Sequence, residues 1–199
     1  MKFFQLALTI TLFSFPIFSQ APKDIVSTRE MERINWMEFK EVVPSKIKTV
    51  ILPTGTLEPH GVANNGADNT APFAMAKTIS RRVNALIAPT LPYGITGSME
   101  AYPGAFTISE AAYRPFVKQI LEGLAKNGFR NVIILNGHGG GQTAVLQSVA
   151  AEVAAERKVR TLVINWWSFA STKPSRSSPK TADMPAGTKR PSFRRSTHR

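Results

Sequence analysis

Four side chains able to bind a metal or move a proton sit in two glycine-rich stretches of this 199-residue chain. LEPHGVANNGADN, residues 57–69, carries Glu58, His60 and Asp68; NGHGGG, residues 136–141, carries His138. The third histidine, His198, lies near the C-terminus. Two imidazoles and two carboxylates make a mixed nitrogen and oxygen donor set of the kind zinc or manganese takes. In Glu58-x-His60 an extended backbone puts both side chains on one side, because successive residues alternate. Gly137, Gly139, Gly140 and Gly141 let main chain approach a metal or substrate where a Cβ would intrude, with Gly139 and Gly140 the candidates for substrate contact. Taken singly, each residue has a plainer role open to it. Glu58 can be a surface or capping carboxylate, Asp68 the N-cap of the helix that follows, and His138 a structural histidine or part of a phosphate cradle. NGHGGG has neither the Gly-x-x-x-x-Gly-Lys nor the Gly-x-Gly-x-x-Gly spacing of phosphate loops. What favours a metal centre is that both histidines occupy corresponding loops, one of them with two carboxylates close by.

Such loops need elements to hold them. KTVILPTGT (48–56) is β-branched and apolar and ends in proline and glycine, so it predicts a buried strand and a loop. NTAPFAMAKTISRRV (69–83) has helical apolar spacing, with Pro72 in the first turn. ALIAPTLPYG (85–94) predicts a second short strand. SEAAYRPFVKQILEGLAKNG (109–128) predicts a helix with Ser109 as N-cap and Gly128 at its end. NVIILNGHGGG is another strand running into a glycine loop, followed by a helix over 142–157 and a strand over VRTLVINWWSF (159–169). The alternation predicts an α/β three-layer sandwich of βαβ units with a mostly parallel sheet. In such sheets ligands bind beyond the carboxyl ends of the strands, where both histidine loops lie.

At these residues the chain resembles the creatininase family of metal-dependent amidohydrolases. The family pattern of a glycine, Glu-x-His-Gly and a later Asp is met by Gly55, Glu58, His60, Gly61 and Asp68. Asn-Gly-His-Gly-Gly is met by residues 136–140, and between the two stand P-x-x-P-Y-G at 89–94 and P-G-x-x-x-I at 103–108. The resemblance covers residues 35–169. It implies two divalent ions, zinc or manganese, bridged by Asp68 and bound by Glu58, His60 and His138. It further implies that a metal-bound hydroxide attacks the C–N bond of a small amide, cyclic amides included, and that the protein is a homo-oligomer. Trp166 and Trp167 are candidates to wall the substrate, with a core role for at least one of them equally open. The chain departs from the pattern in VANNGADN after His60, where a second His and Leu-Pro are usual, and in Gly141, where Asn is usual. The downstream His-Ala-Gly-x-x-Glu-Thr stretch, which carries a further Glu and His, is missing, so no catalytic acid or base is assigned.

The ends of the chain carry separate expectations. Residues 1–19, a single Lys2 followed by an apolar run broken by Pro16, have the form of a signal peptide. Roughly 16 apolar residues fall short of the ~20 that span a bilayer, so export to the periplasm or medium is expected, with no membrane partner after cleavage. The absence of cysteine excludes disulfides and thiolate metal sites. Residues 20–170 form the α/β domain. Residues 171–199 are rich in Ser, Pro and Arg, with eight Lys or Arg against Asp183, so more than half of the net charge of +12 lies there. Such a segment is expected to be a disordered basic tail. Reading the codons for 180–190 one base earlier fixes two bases of each codon, and can return EDGGHAGGNET, the missing motif. A frame change near residue 170, with catalysis impaired in this form, is therefore expected. The alternative is a noncatalytic scaffold whose tail binds nucleic acid or another polyanion. With Phe193 its sole aromatic, stacking on bases is disfavoured, so a nucleic-acid partner is not expected.

Overall fold

The computed structural model of the chain describes residues 25–170. The expected signal segment and basic tail both lie outside these residues. Four parallel strands, β1 (Thr49–Thr54), β2 (Ala85–Ile87), β3 (Asn131–Asn136) and β4 (Arg160–Asn165), form one sheet in the order β2-β1-β3-β4. The helices are α1 (Trp36–Val42), α2 (Ala67–Ile79), α3 (Glu110–Lys126), α4 (Gly140–Arg157) and α5 (Trp166–Ala170). The expected three-layer α/β sandwich is thus present.

Local chemistry accounts for these elements. Asn35 starts α1 with a capping box, its side chain accepting from the Glu38 amide while the Glu38 carboxylate accepts from the Asn35 amide. Ser109 caps α3, accepting from Ala112 N–H, and Gly128 follows its end at φ +105°, which costs glycine nothing. Along α3 the buried residues Tyr113, Val117, Leu121 and Leu124 recur at helical spacing. Pro53 sits inside β1 without loss. Its carbonyl faces Leu91 beyond the last β2 partner, so no ladder bond calls for the missing N–H.

Alternation along the strands divides the core in two. Val50, Leu52, Val132 and Ile134 point into the larger cluster with α3 and α4, where Tyr113, Leu121, Leu146 and Val149 are buried. Ile51, Leu135 and Ile87 point into a smaller cluster with Ala76 and Phe73 of α2. The chain steps outward from β1 to β2 and, in the opposite direction, from β3 to β4. Crossovers of one hand then put α2 and α4 on opposite faces, and the switch point falls between β1 and β3.

Some boundaries differ from expectation. The strand expected over 159–169 ends at Asn165, and Trp166 and Trp167 begin α5, turning the chain over the end of the sheet. The helix expected from residue 69 begins at Ala67, with Gly66 as its N-cap, so Asp68 lies inside the first turn and is not the cap. On the α2 side of β4, Leu162 is 54% exposed, because α2 reaches over β1 and the near side of β3 and, among the described residues, no helix continues across.

This asymmetry sets an expected outcome. Leu162→Lys should change stability by no more than ~0.5 kcal/mol, as surface substitutions do. Leu52→Ala, deep in the larger cluster, should cost about 2–5 kcal/mol. Urea unfolding of the two variants beside the parent chain checks it.

Candidate metal centre

The site straddles the switch point. Glu58 and His60 come from the loop after β1, Asp68 from the first turn of α2, and His138 from the loop after β3. All four expected residues meet. The two oxygens of Asp68 face different imidazoles: Oδ1 lies 3.0 Å from His60 Nε2 and Oδ2 lies 2.8 Å from His138 Nδ1. Glu58 Oε1 stands 3.3 Å from His138 Nδ1 and 3.8 Å from His60 Nε2, as the shared side of Glu58-x-His60 requires. Glu58, Asp68 and His138 offer donor atoms all within 4.8 Å of one another, and His60 joins them through Asp68.

The approach of Asp68 depends on two glycines. A Cβ on Gly137 would fall 1.9 Å from the Asp68 carbonyl oxygen, and one on Gly55 would fall 2.4 Å from the same atom. Main chain at Asp68 therefore passes between the ends of β1 and β3 with no room for a side chain from either. Asn69, the next residue, pins the passage by donating to the carbonyls of Thr56 and Pro92, each at 3.1 Å.

The His60 ring is held between two acceptors: Nδ1 lies 2.9 Å from the Glu58 backbone carbonyl and Nε2 lies 3.0 Å from Asp68 Oδ1. A neutral imidazole has one proton, so it satisfies one of these contacts and turns a lone pair to the other. With the proton on Nδ1, a second proton or a cation is needed to reconcile Nε2 with Asp68. For His138, burial is the largest single influence and pulls its pKa down. The Asp68 hydrogen bond and the Glu58 and Asp68 charges together outweigh it, so the net shift is upward. Burial pushes the Glu58 carboxyl upward, opposed by His138, and Glu58 Oε2 is buried without a hydrogen-bond partner. An orphaned carboxylate oxygen next to converging lone pairs fits a divalent cation, which would satisfy all of them at once.

Sequence reasoning did not find the side chains behind this cluster. Asn136, fully buried, accepts from Thr54 Oγ1 and His138 N–H and donates to the His138 carbonyl and to Asn165 Oδ1. Fully buried Gln142, in the first turn of α4, bonds Gly55 and Ile95 in two separate loops and Asn136 at the end of β3. The available signal was an amide at the end of an apolar strand and another at a helix start. The expected glycine roles separate. Gly137 is sterically required, Gly140 takes φ +57°, and a Cβ on Gly139 would touch Trp167 at 3.7 Å. A Cβ on Gly141 would meet no described protein atom within 4 Å. Trp167 thus stands beside the His138 loop, whereas Trp166 packs against the smaller core cluster; the two rings meet edge to face at 6.3 Å.

The family model for creatininase, described as creatinine amidohydrolase, matches residues 32–188. The chain belongs to the creatininase family. Creatinine amidohydrolase of Pseudomonas putida is 26% identical over 148 residues, covering 68% of this chain and 56% of that protein. The 3-dehydro-scyllo-inosose hydrolase of Thermotoga maritima is also 26% identical, covering 68% of this chain and 46% of its own length. The chain thus spans about half the length of these relatives. Among solved structures, the manganese form of creatininase superposes with a TM-score of 0.67 at 24% identity, over 73% of this chain and 61% of that one. A creatininase mutant of the Zn-Zn type gives 0.68 at 24%, over 74% and 62%. At these identities the superpositions establish the shared fold.

Gly137 and Gly141 should respond oppositely to an added methyl group. Gly137→Ala should destabilise the chain by at least the ~1–3 kcal/mol of an overpacked core site. Gly141→Ala should be neutral or gain up to ~1 kcal/mol from helix propensity. Thermal unfolding of both variants reads the contrast.

Proposed function

We propose that this chain is a metal-dependent amidohydrolase that cleaves the C–N bond of a small amide, cyclic amides included, at the Asp68 centre. One observation carries the reading: the inward nitrogens of both imidazoles converge on the two oxygens of a single carboxylate, while the other nitrogen of His60 faces a backbone carbonyl. Glu58, His60, Asp68 and His138 would hold the divalent ions, zinc or manganese. When bound, such ions activate water and stabilise the oxyanion that forms at the attacked carbonyl.

The chain's own residues supply the rest. Asp68 holds both rings in place, and the Glu58 backbone carbonyl is placed to accept from the His60 nitrogen facing away from the centre when that nitrogen carries the proton. Gly139 and Gly140 leave room for a substrate carbonyl at the foot of α4, and Trp167 walls that space. Among the described residues, both histidines are engaged with Asp68, so neither is free to hand a proton to the leaving nitrogen. A positioned acid or base is typically worth about 10²–10⁴-fold in rate, so turnover by this form should be slow. Residues 1–19 fit an export signal, which would place the protein in the periplasm or medium, and the family relationship fits a homo-oligomer.

The test is hydrolysis of a panel of small cyclic and linear amides by protein loaded with zinc or manganese. Metal-dependent turnover is expected, falling at least about 10²-fold in Asp68→Asn, which keeps the shape but loses the charge. Equal turnover by the parent and Asp68→Asn would remove the Asp68 centre from the reaction.

A further inference from the structure

Gln142 ties the loops after β1 and β2 to the last residue of β3. Its Oε1 accepts from the Ile95 amide at 3.0 Å, and its Nε2 donates to the Gly55 carbonyl at 3.3 Å and to Asn136 Oδ1 at 3.1 Å. The orientation of this carboxamide is fixed by its partners, since a backbone N–H can only donate and a backbone carbonyl only accept. Nor can the side chain be displaced cheaply. It fills the space beside Gly94, where a Cβ would lie 1.8 Å from its Oε1.

Two of its three bonds end one step from a candidate ligand. Gly55 is one of the two glycines between which Asp68 passes. Asn136 bonds both the amide and the carbonyl of His138. The carboxamide and His138 are thus coupled through the single residue Asn136.

We propose that Gln142 is a positioning residue for the metal centre: by holding Asn136, which bonds both main-chain groups of His138, it fixes where the His138 ring stands beside Asp68. The proposal rests on reading the cluster as a metal centre. Residues that orient metal ligands from behind are typically worth about 10–100-fold in metal affinity.

The experiment has two readouts on the whole chain, made at a temperature where circular dichroism shows every variant folded. One is zinc affinity by competition with a chelating dye. The other is the ring ¹H–¹³C signals of His138 in histidine-labelled, metal-free protein, which report its place beside Asp68. Gln142→Met, similar in length but without the amide, should weaken zinc binding about tenfold or more and shift the His138 signals. Thr161→Val, which removes the bond from Thr161 Oγ1 to the Ala150 carbonyl away from the site, should lower the melting temperature and move neither readout. If Gln142→Met does not fold, Gln142→Glu keeps an oxygen for the Ile95 amide but sets its other oxygen against Asn136 Oδ1, an acceptor, and should give the same two changes. Wild-type zinc affinity and unshifted His138 signals in whichever of these variants folds would overturn the proposal. Should the parent chain bind no zinc, the metal reading fails, while the His138 signals still judge Gln142.

Discussion

Everything at the carboxyl edge of this sheet depends on one close approach: the main chain at Asp68 runs between the ends of β1 and β3, where Gly55 and Gly137 lack the Cβ that would block it. Register makes the approach possible. β1 and β3 pair along their full length, from Thr49 opposite Asn131 to Thr54 opposite Asn136, so their last residues lie level and their loops open side by side. The first turn of α2 enters that gap and delivers a carboxylate to two imidazoles from different loops. Backbone geometry sets the contact, and the side chains complete it.

Holding such a cluster requires polar groups buried beneath it, and these stand only if each is paired. Asn136 and Gln142 are both fully buried and both bonded through oxygen and nitrogen, with Thr54, Asn165 and backbone groups as partners. Glu58 Oε2 in the cluster above is not. A satisfied foundation under an unsatisfied carboxylate is the arrangement expected of a binding site, because the missing partner is supplied by what binds. The surface ion pairs elsewhere, such as Lys118 with Glu152 and Glu156 between α3 and α4, are solvated and carry no comparable constraint.

Much of this was legible in the sequence, for identifiable reasons. Continuous apolar, β-branched runs leading into glycine loops marked β1 and β3, and the alternation with helices marked the parallel sheet. Glu58, His60, Asp68 and His138 stood out because no other described residue is a histidine and both loops leave strands at the same edge. Trp166 and Trp167 were misplaced on a strand because aromatic residues favour strands as much as short buried helices, and the chain turns where the edge strand runs out of partners. Asp68 as a helix cap was a fair local expectation that lost to a long-range contact. Gln142 and Asn136 were invisible for a different reason. An amide's importance lies in partners up to 87 residues away, which no local pattern encodes.

The central claim, that Asp68 gathers two imidazoles to hold a divalent ion, is tested most directly by diffraction from crystals of the zinc-loaded chain, recorded at the zinc absorption edge. The claim predicts an anomalous peak among Glu58, Asp68 and His138, at about 2.0–2.2 Å from their nitrogen and oxygen atoms. Zinc bound at full occupancy elsewhere on the chain, with Asp68 still bonded to both rings, would contradict it.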